Sequence, residues 1–99
     1  MSKDRRAEVA VQYTRMESLI TRFNELKREA MSILGEIEKI SDGERATYDT
    51  LSEDVQRSGI GNAMMNAVSE LDSAAERLHA FDLIDLDPAL ACLAGAREW

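Results

Sequence analysis

The run VAVQYTRMESLITRFNELKREAMSILGEIEKI, Val9 to Ile40, decides the fold. Written as heptads, it places Val9, Met16, Phe23, Ala30 and Ile37 at a, and Gln12, Leu19, Leu26, Ile33 and Ile40 at d. Nine of these ten positions are apolar and Gln12 is the lapse. That regularity is the signature of one amphipathic helix, expected over residues 4–40. A further row at e holds Tyr13, Ile20 and Leu34 and is interrupted by Lys27. The a/d/e stripe is wider than a two-stranded seam and suits a helix with more than one neighbour. At 1.5 Å per residue the helix measures roughly 55 Å. A compact globule of this chain length cannot hold such a rod, so an elongated molecule is expected.

Working outward, SDGE at Ser41–Glu44 has the spacing of a capping box, with Gly43 to ease a turn. It predicts that the first helix stops there and a second runs over residues 42–57, with Tyr48, Leu51 and Val55 on one face and a Glu53–Arg57 pair on the other. SGIGN, Ser58 to Asn62, reads as a break, with Asn62 capping a third helix over 62–81. Met64, Ala67, Val68, Leu71, Ala74, Ala75, Leu78 and Phe81 form its apolar face. Asp87-Pro88 reads as the start of a short helix over 88–94, capped by the aspartate and ended by Gly95. The fold class is therefore all-α: one domain, 1–99, an elongated antiparallel helical hairpin or bundle with a long N-terminal helix, a broken return helix and a short C-terminal helix.

Composition narrows the function. One proline and five glycines in 99 residues leave few helix breakers. The formal charge is −7 and unevenly spread: residues 1–30 hold seven Lys/Arg against five Asp/Glu, whereas residues 31–99 hold five against fourteen. Direct nucleic-acid binding is disfavoured, because phosphates would be repelled. A basic protein partner fits the acidic half better. The lone Cys92 can form no internal disulfide, and no apolar run approaches the roughly 20 residues of a membrane span. A cytoplasmic protein without membrane attachment is expected.

The motifs point away from catalysis. LIDLD, Leu83 to Asp87, resembles the clathrin-box type of linear docking motif. The helices flanking it favour a folded corner, with Leu83, Ile84 and Leu86 turned inward and Asp82, Asp85 and Asp87 turned to water. Glu76 and His79 have the E-x-x-H spacing of di-iron bundles, but a single histidine cannot complete such a set. GIGN before a helix reads as a tight turn rather than an anion site, since no strand precedes it. The length and paired arms resemble the WXG-type helical hairpins, although the corner reads SDGERATY where that family carries its Trp-x-Gly turn. No nucleophile–base set, metal set or cofactor motif is present, so no enzyme is expected.

Two readings of function follow. The first is a protein-interaction module that self-associates, with a dimer expected, through the stripe of the long helix. The second is an acidic inhibitor or decoy of the kind phages and mobile elements encode, which occupies a basic groove. The candidate partner-binding residues are Met16, Leu19, Phe23, Leu26, Ile33, Ile37, Asp82, Asp85, Asp87 and Trp99. Trp99, at the last position, either folds back onto the bundle or anchors a partner.

Overall fold

The computed structural model describes residues 2–98 and is all-helical, with no strand among them. Four helices follow in order: α1 (Lys3–Asp49), α2 (Glu53–Gln56), α3 (Gly59–Asp82) and α4 (Asp87–Arg97). The long first helix, the broken return and the short last helix match the pattern read from the sequence. Contacts divide them into two compact units, Glu29–Leu83 on one hand, and on the other the residues up to Arg28 together with those from Ile84 onward.

The break expected at Ser41 does not occur, because α1 runs unbroken through SDGE to Asp49. A capping serine must leave helical geometry, and Ser41 has a stronger use inside the helix. It falls at e of the heptad, directly after Leu34, and is 3% exposed. Its hydroxyl donates to Asp72 Oδ1 at 2.7 Å. The residues that follow, ERATYD, carry no breaker, and a glycine at position 43 costs only about 1 kcal/mol against alanine. The residues expected in a helix over 42–57 are thus split between α1 and the single turn of α2.

The corner lies about two turns later. Thr50 and Leu51 close α1 with tightened bonds from their N–H groups to the carbonyls of Thr47 and Tyr48, at 3.1 and 3.0 Å. The Gln56 side-chain amide also donates to the Tyr48 carbonyl at 3.0 Å, giving that acceptor at the helix end a second donor. Ser52 caps α2, and Ser58, rather than the expected Asn62, caps α3 by accepting from Gly61 N–H. Ser58 wins because the helix starts three residues earlier, with both glycines inside its first turn. Gly61 has a packing reason to be there: a Cβ on it would lie 2.1 Å from the Gln56 carbonyl oxygen. The Glu53–Arg57 pair forms at 3.6 Å between exposed side chains, where an ion pair contributes little.

In the Glu29–Leu83 unit, the C-terminal part of α1 and α3 form an antiparallel hairpin. Its buried apolar side chains are Ala30, Leu34 and Val68, at 8%, 7% and 1% exposure. The face expected on α3 is turned inward except for Ala67, which is exposed. Beside this core the Arg45 guanidinium pairs with the second carboxylate oxygen of Asp72. The Ser41 hydroxyl, aided by Arg45 and opposed by desolvation, holds the Asp72 carboxyl below its ordinary value.

In the other unit, α4 lies antiparallel to the N-terminal part of α1. Arg97 sits 4.2 Å over the ring of Tyr13. At the opposite end, Lys27 Nζ donates to the Ile84 carbonyl and lies 5.0 Å over the Phe23 ring. Lys27 is therefore no interruption of the e row: its stem packs along the apolar face while its ammonium ties down the corner. Gly95 does not end α4, which continues to Arg97. Nor does Asp87 cap it. Leu86 holds the cap position without a side-chain bond, while Asp85 accepts from Asp87 N–H at 3.0 Å in a local turn. Leu83 and Ile84, expected inward, are 72% and 46% exposed, and only Leu86 is half-buried. The backbone leaves α3 with Leu83 still in right-handed helical geometry, so the helix rotation aims these side chains at solvent.

Two glycines should respond oppositely to alanine. Gly43 has open space around its Cβ position, so Gly43→Ala should stabilise by about 0.5–1 kcal/mol. Gly61→Ala must displace backbone and should cost about 2–3 kcal/mol. Thermal unfolding of the two variants, read by circular dichroism, checks both signs. For Asp72 the depressed pKa means stability that is present above the ordinary carboxylate value and lost as pH falls through the lower folded value. Asp72→Asn should therefore flatten the acid limb of a stability–pH profile below about pH 4 while lowering stability at neutral pH.

Candidate interaction surface

Three apolar rows run along α1, and the chain covers two of them. At a, Ala30 is buried and Val9, Met16, Phe23 and Ile37 are half-buried. At e, Leu34 and Ser41 are buried and Tyr13, Ile20 and Lys27 are half-buried. The d row is different. Leu19, Leu26, Ile33 and Ile40 are 42%, 55%, 48% and 57% exposed. The reason is angular: d lies about 60° from a and about 100° from e around the helix, so a neighbour seated over a and e leaves d at the rim.

On its other side the d row is bordered by the g positions Glu8, Arg15, Arg22, Glu29 and Glu36, all exposed. Arg15 donates to Gln12 Oε1 at 3.1 Å, and Glu36 pairs with Lys39 at 3.3 Å. Among the described residues, no ion pair to Arg15, Arg22 or Glu29 forms within the chain. In the N-terminal unit an open groove runs beside this row, lined by Gln12, Arg15, Met16, Leu19, Arg22 and Leu93.

The structure places the expected binding residues in two groups. Leu19, Leu26 and Ile33 fall together on the exposed row, whereas Met16, Phe23 and Ile37 belong to the half-covered a row beside it. Asp82 is half-buried at the end of α3, Asp85 is exposed on the connector and Asp87 is exposed at the first position of α4, so these acids are not on α1. Trp99 lies outside the described residues. Ile40 and the g-row charges were not among the expected residues. Ile40 could have been included from the heptad alone, since it continues the d row by one more period. Arg15, Arg22, Glu29 and Glu36 become visible only once d is recognised as the bare row.

Cys92 and His79 are both exposed, and among the described residues no group of three or more His, Cys, Asp or Glu side chains is arranged to hold a metal ion. No described helix is long and apolar enough to cross a membrane. No family model, curated protein or solved structure matches this chain.

Proposed function

We propose that the chain is a non-enzymatic protein-interaction module that self-associates through the exposed apolar row of α1. The observation that carries this reading is the period of that row. Leu19, Leu26, Ile33 and Ile40 recur every seven residues without exception and are each about half exposed. Scattered surface aliphatics are ordinary, but a contiguous apolar line on one helix marks an interaction site.

Burial supports the reading. The unit containing the N-terminal part of α1 has no fully buried side chain among its described residues. An added helix layer would supply one.

Energetics set how tight the association is. Burying the exposed half of four aliphatic side chains on each of two copies yields roughly 8 kcal/mol, at about 1 kcal/mol each. Loss of translational and rotational freedom opposes this by about 4–15 kcal/mol. The apolar row alone therefore gives a concentration-dependent dimer rather than an obligate one, and the flanking groups decide its affinity. A cytoplasmic setting accords with the unpaired, exposed thiol of Cys92.

Sedimentation equilibrium tests the reading. The wild-type chain should dimerise at micromolar concentration, with a thermal midpoint that rises with protein concentration. Leu26→Gln with Ile33→Gln should be monomeric at the same concentrations, with unchanged helix content and a midpoint independent of concentration. A wild-type chain that stays monomeric throughout would overturn the proposal.

A further inference from the structure

We infer that the dimer is antiparallel and two-fold symmetric, with Arg15 and Arg22 of each copy pairing with Glu36 and Glu29 of the other. This rests on the self-association reading above and adds orientation and register to it. The argument begins with geometry. When two helices meet along their d rows, the row beside d on one side is g and on the other is a. A parallel pair sets g of one copy against a of the other. An antiparallel pair sets g against g. In this chain a is Met16, Phe23, Ala30 and Ile37, half or fully covered by its own helices, so a parallel pair would give the g-row charges no partner.

Read in order, the g row is Glu8, Arg15, Arg22, Glu29, Glu36 and Gly43. The two arginines precede the two inner glutamates on one unbroken helix. Lay a second copy antiparallel, with residue 25 of one level with residue 26 of the other. Arg22 then stands level with Glu29, Arg15 with Glu36, and Glu8 with the uncharged Gly43. Symmetry doubles the first two pairs to four. The same register stacks Leu26 against Leu26 at the two-fold axis and Leu19 against Ile33 on either side of it.

Neighbouring registers set like charges together. A slide of one heptad toward the N-terminus keeps Arg15 against Glu29 but brings Arg22 against Arg22 and Glu8 against Glu36. A slide the other way layers Leu19 with Ile40 and keeps Arg22 against Glu36, but it brings Glu29 against Glu29 and leaves Arg15 facing Gly43. The inferred register leaves Ile40 against Gln12, and of the three it alone has no like-charge contact. The pair that Glu36 makes with Lys39 within the chain is no obstacle, since both side chains are largely exposed and such a pair contributes little. Arg15 and Arg22 stand where a guanidinium is worth most, at the edge of an apolar seam that excludes water.

Charge exchange separates orientation from association. Arg15→Glu with Arg22→Glu makes the row wholly acidic, and Glu29→Arg with Glu36→Arg makes its inner part wholly basic. Each variant alone should dimerise at least about tenfold more weakly than wild type, and a 1:1 mixture should form a heterodimer at least as tight as the wild-type dimer. All four substitutions together invert the row without breaking any pair, and that chain should dimerise like wild type. Cysteine crosslinking in a Cys92→Ser background gives a second readout, independent of folding energetics. Leu19→Cys should not link to itself, because its two copies stand 13 residues, about 20 Å, apart along the axis. Mixed with Ile33→Cys, it should link readily. If the wild type dimerises but Leu19→Cys links to itself and charge exchange has no effect, the dimer is parallel and this inference fails while the proposed function stands. If the wild type does not dimerise, the proposed function itself fails.

Discussion

A helix with three apolar rows needs more cover than this chain can supply, and the rest of the structure is arranged around that shortage. Seated over a and e, α3 and α4 each line their own part of α1 and leave d at the edge. Neither return element is wide enough to do otherwise, because one helix packed on another covers a strip only two rows across. What remains is a line of Leu and Ile side chains whose burial requires another molecule. The exposed row is therefore a consequence of how the inner rows are satisfied, and the surface inferred to bind inherits its register from the core.

The core itself is small. Among the described residues three apolar side chains are buried, all in the Glu29–Leu83 unit, so specific polar contacts carry an unusual share of the definition of the fold. Ser41 and Arg45 both converge on Asp72, fixing how far α3 slides along α1. Lys27 on the Ile84 carbonyl and Arg97 on Tyr13 set the register of α4. These are directional interactions at e positions or next to them, where an aliphatic residue would add burial but would not choose a register. Their net stabilisation is modest, and their function is to make one alignment better than its neighbours.

Much of this was legible in the sequence, and the failures have a common cause. Periodicity identifies α1, and of the eight residues that i, i+3, i+4 spacing assigns to the inward face of α3, seven lie there. Local chemistry misled at the ends. SDGE has the letters of a capping box, yet its serine is worth more as a buried donor to a residue 31 positions away, which no local rule can see. The aspartate of Asp87-Pro88 has the letters of a cap, whereas Asp85 supplies the local bond and the helix begins one residue early. LIDLD turned its first two aliphatics outward because the helix phase at Leu83, not the apolar content, sets their direction. In the candidate surface, heptad counting found three rows but not the bare one. That choice depends on which side of α1 the return helices take, a tertiary fact.

The distribution of charge along α1 follows from the same logic. An alternating g row would pair equally well after a slide of two heptads, and a row of one sign would repel itself in any antiparallel alignment. A block of two cations followed by a block of two anions avoids both. Its complement under a two-fold axis is itself, and each displaced alignment sets like charges together. Apolar rows spaced at seven residues distinguish one heptad slide from another only weakly, through the single polar layer at Gln12. The order Arg15, Arg22, Glu29, Glu36 supplies the missing information within the length of one helix, where no second element has to be positioned for it to act. In the inferred pairing, a chain with so little core to spare would gain specificity there without burying a single charge.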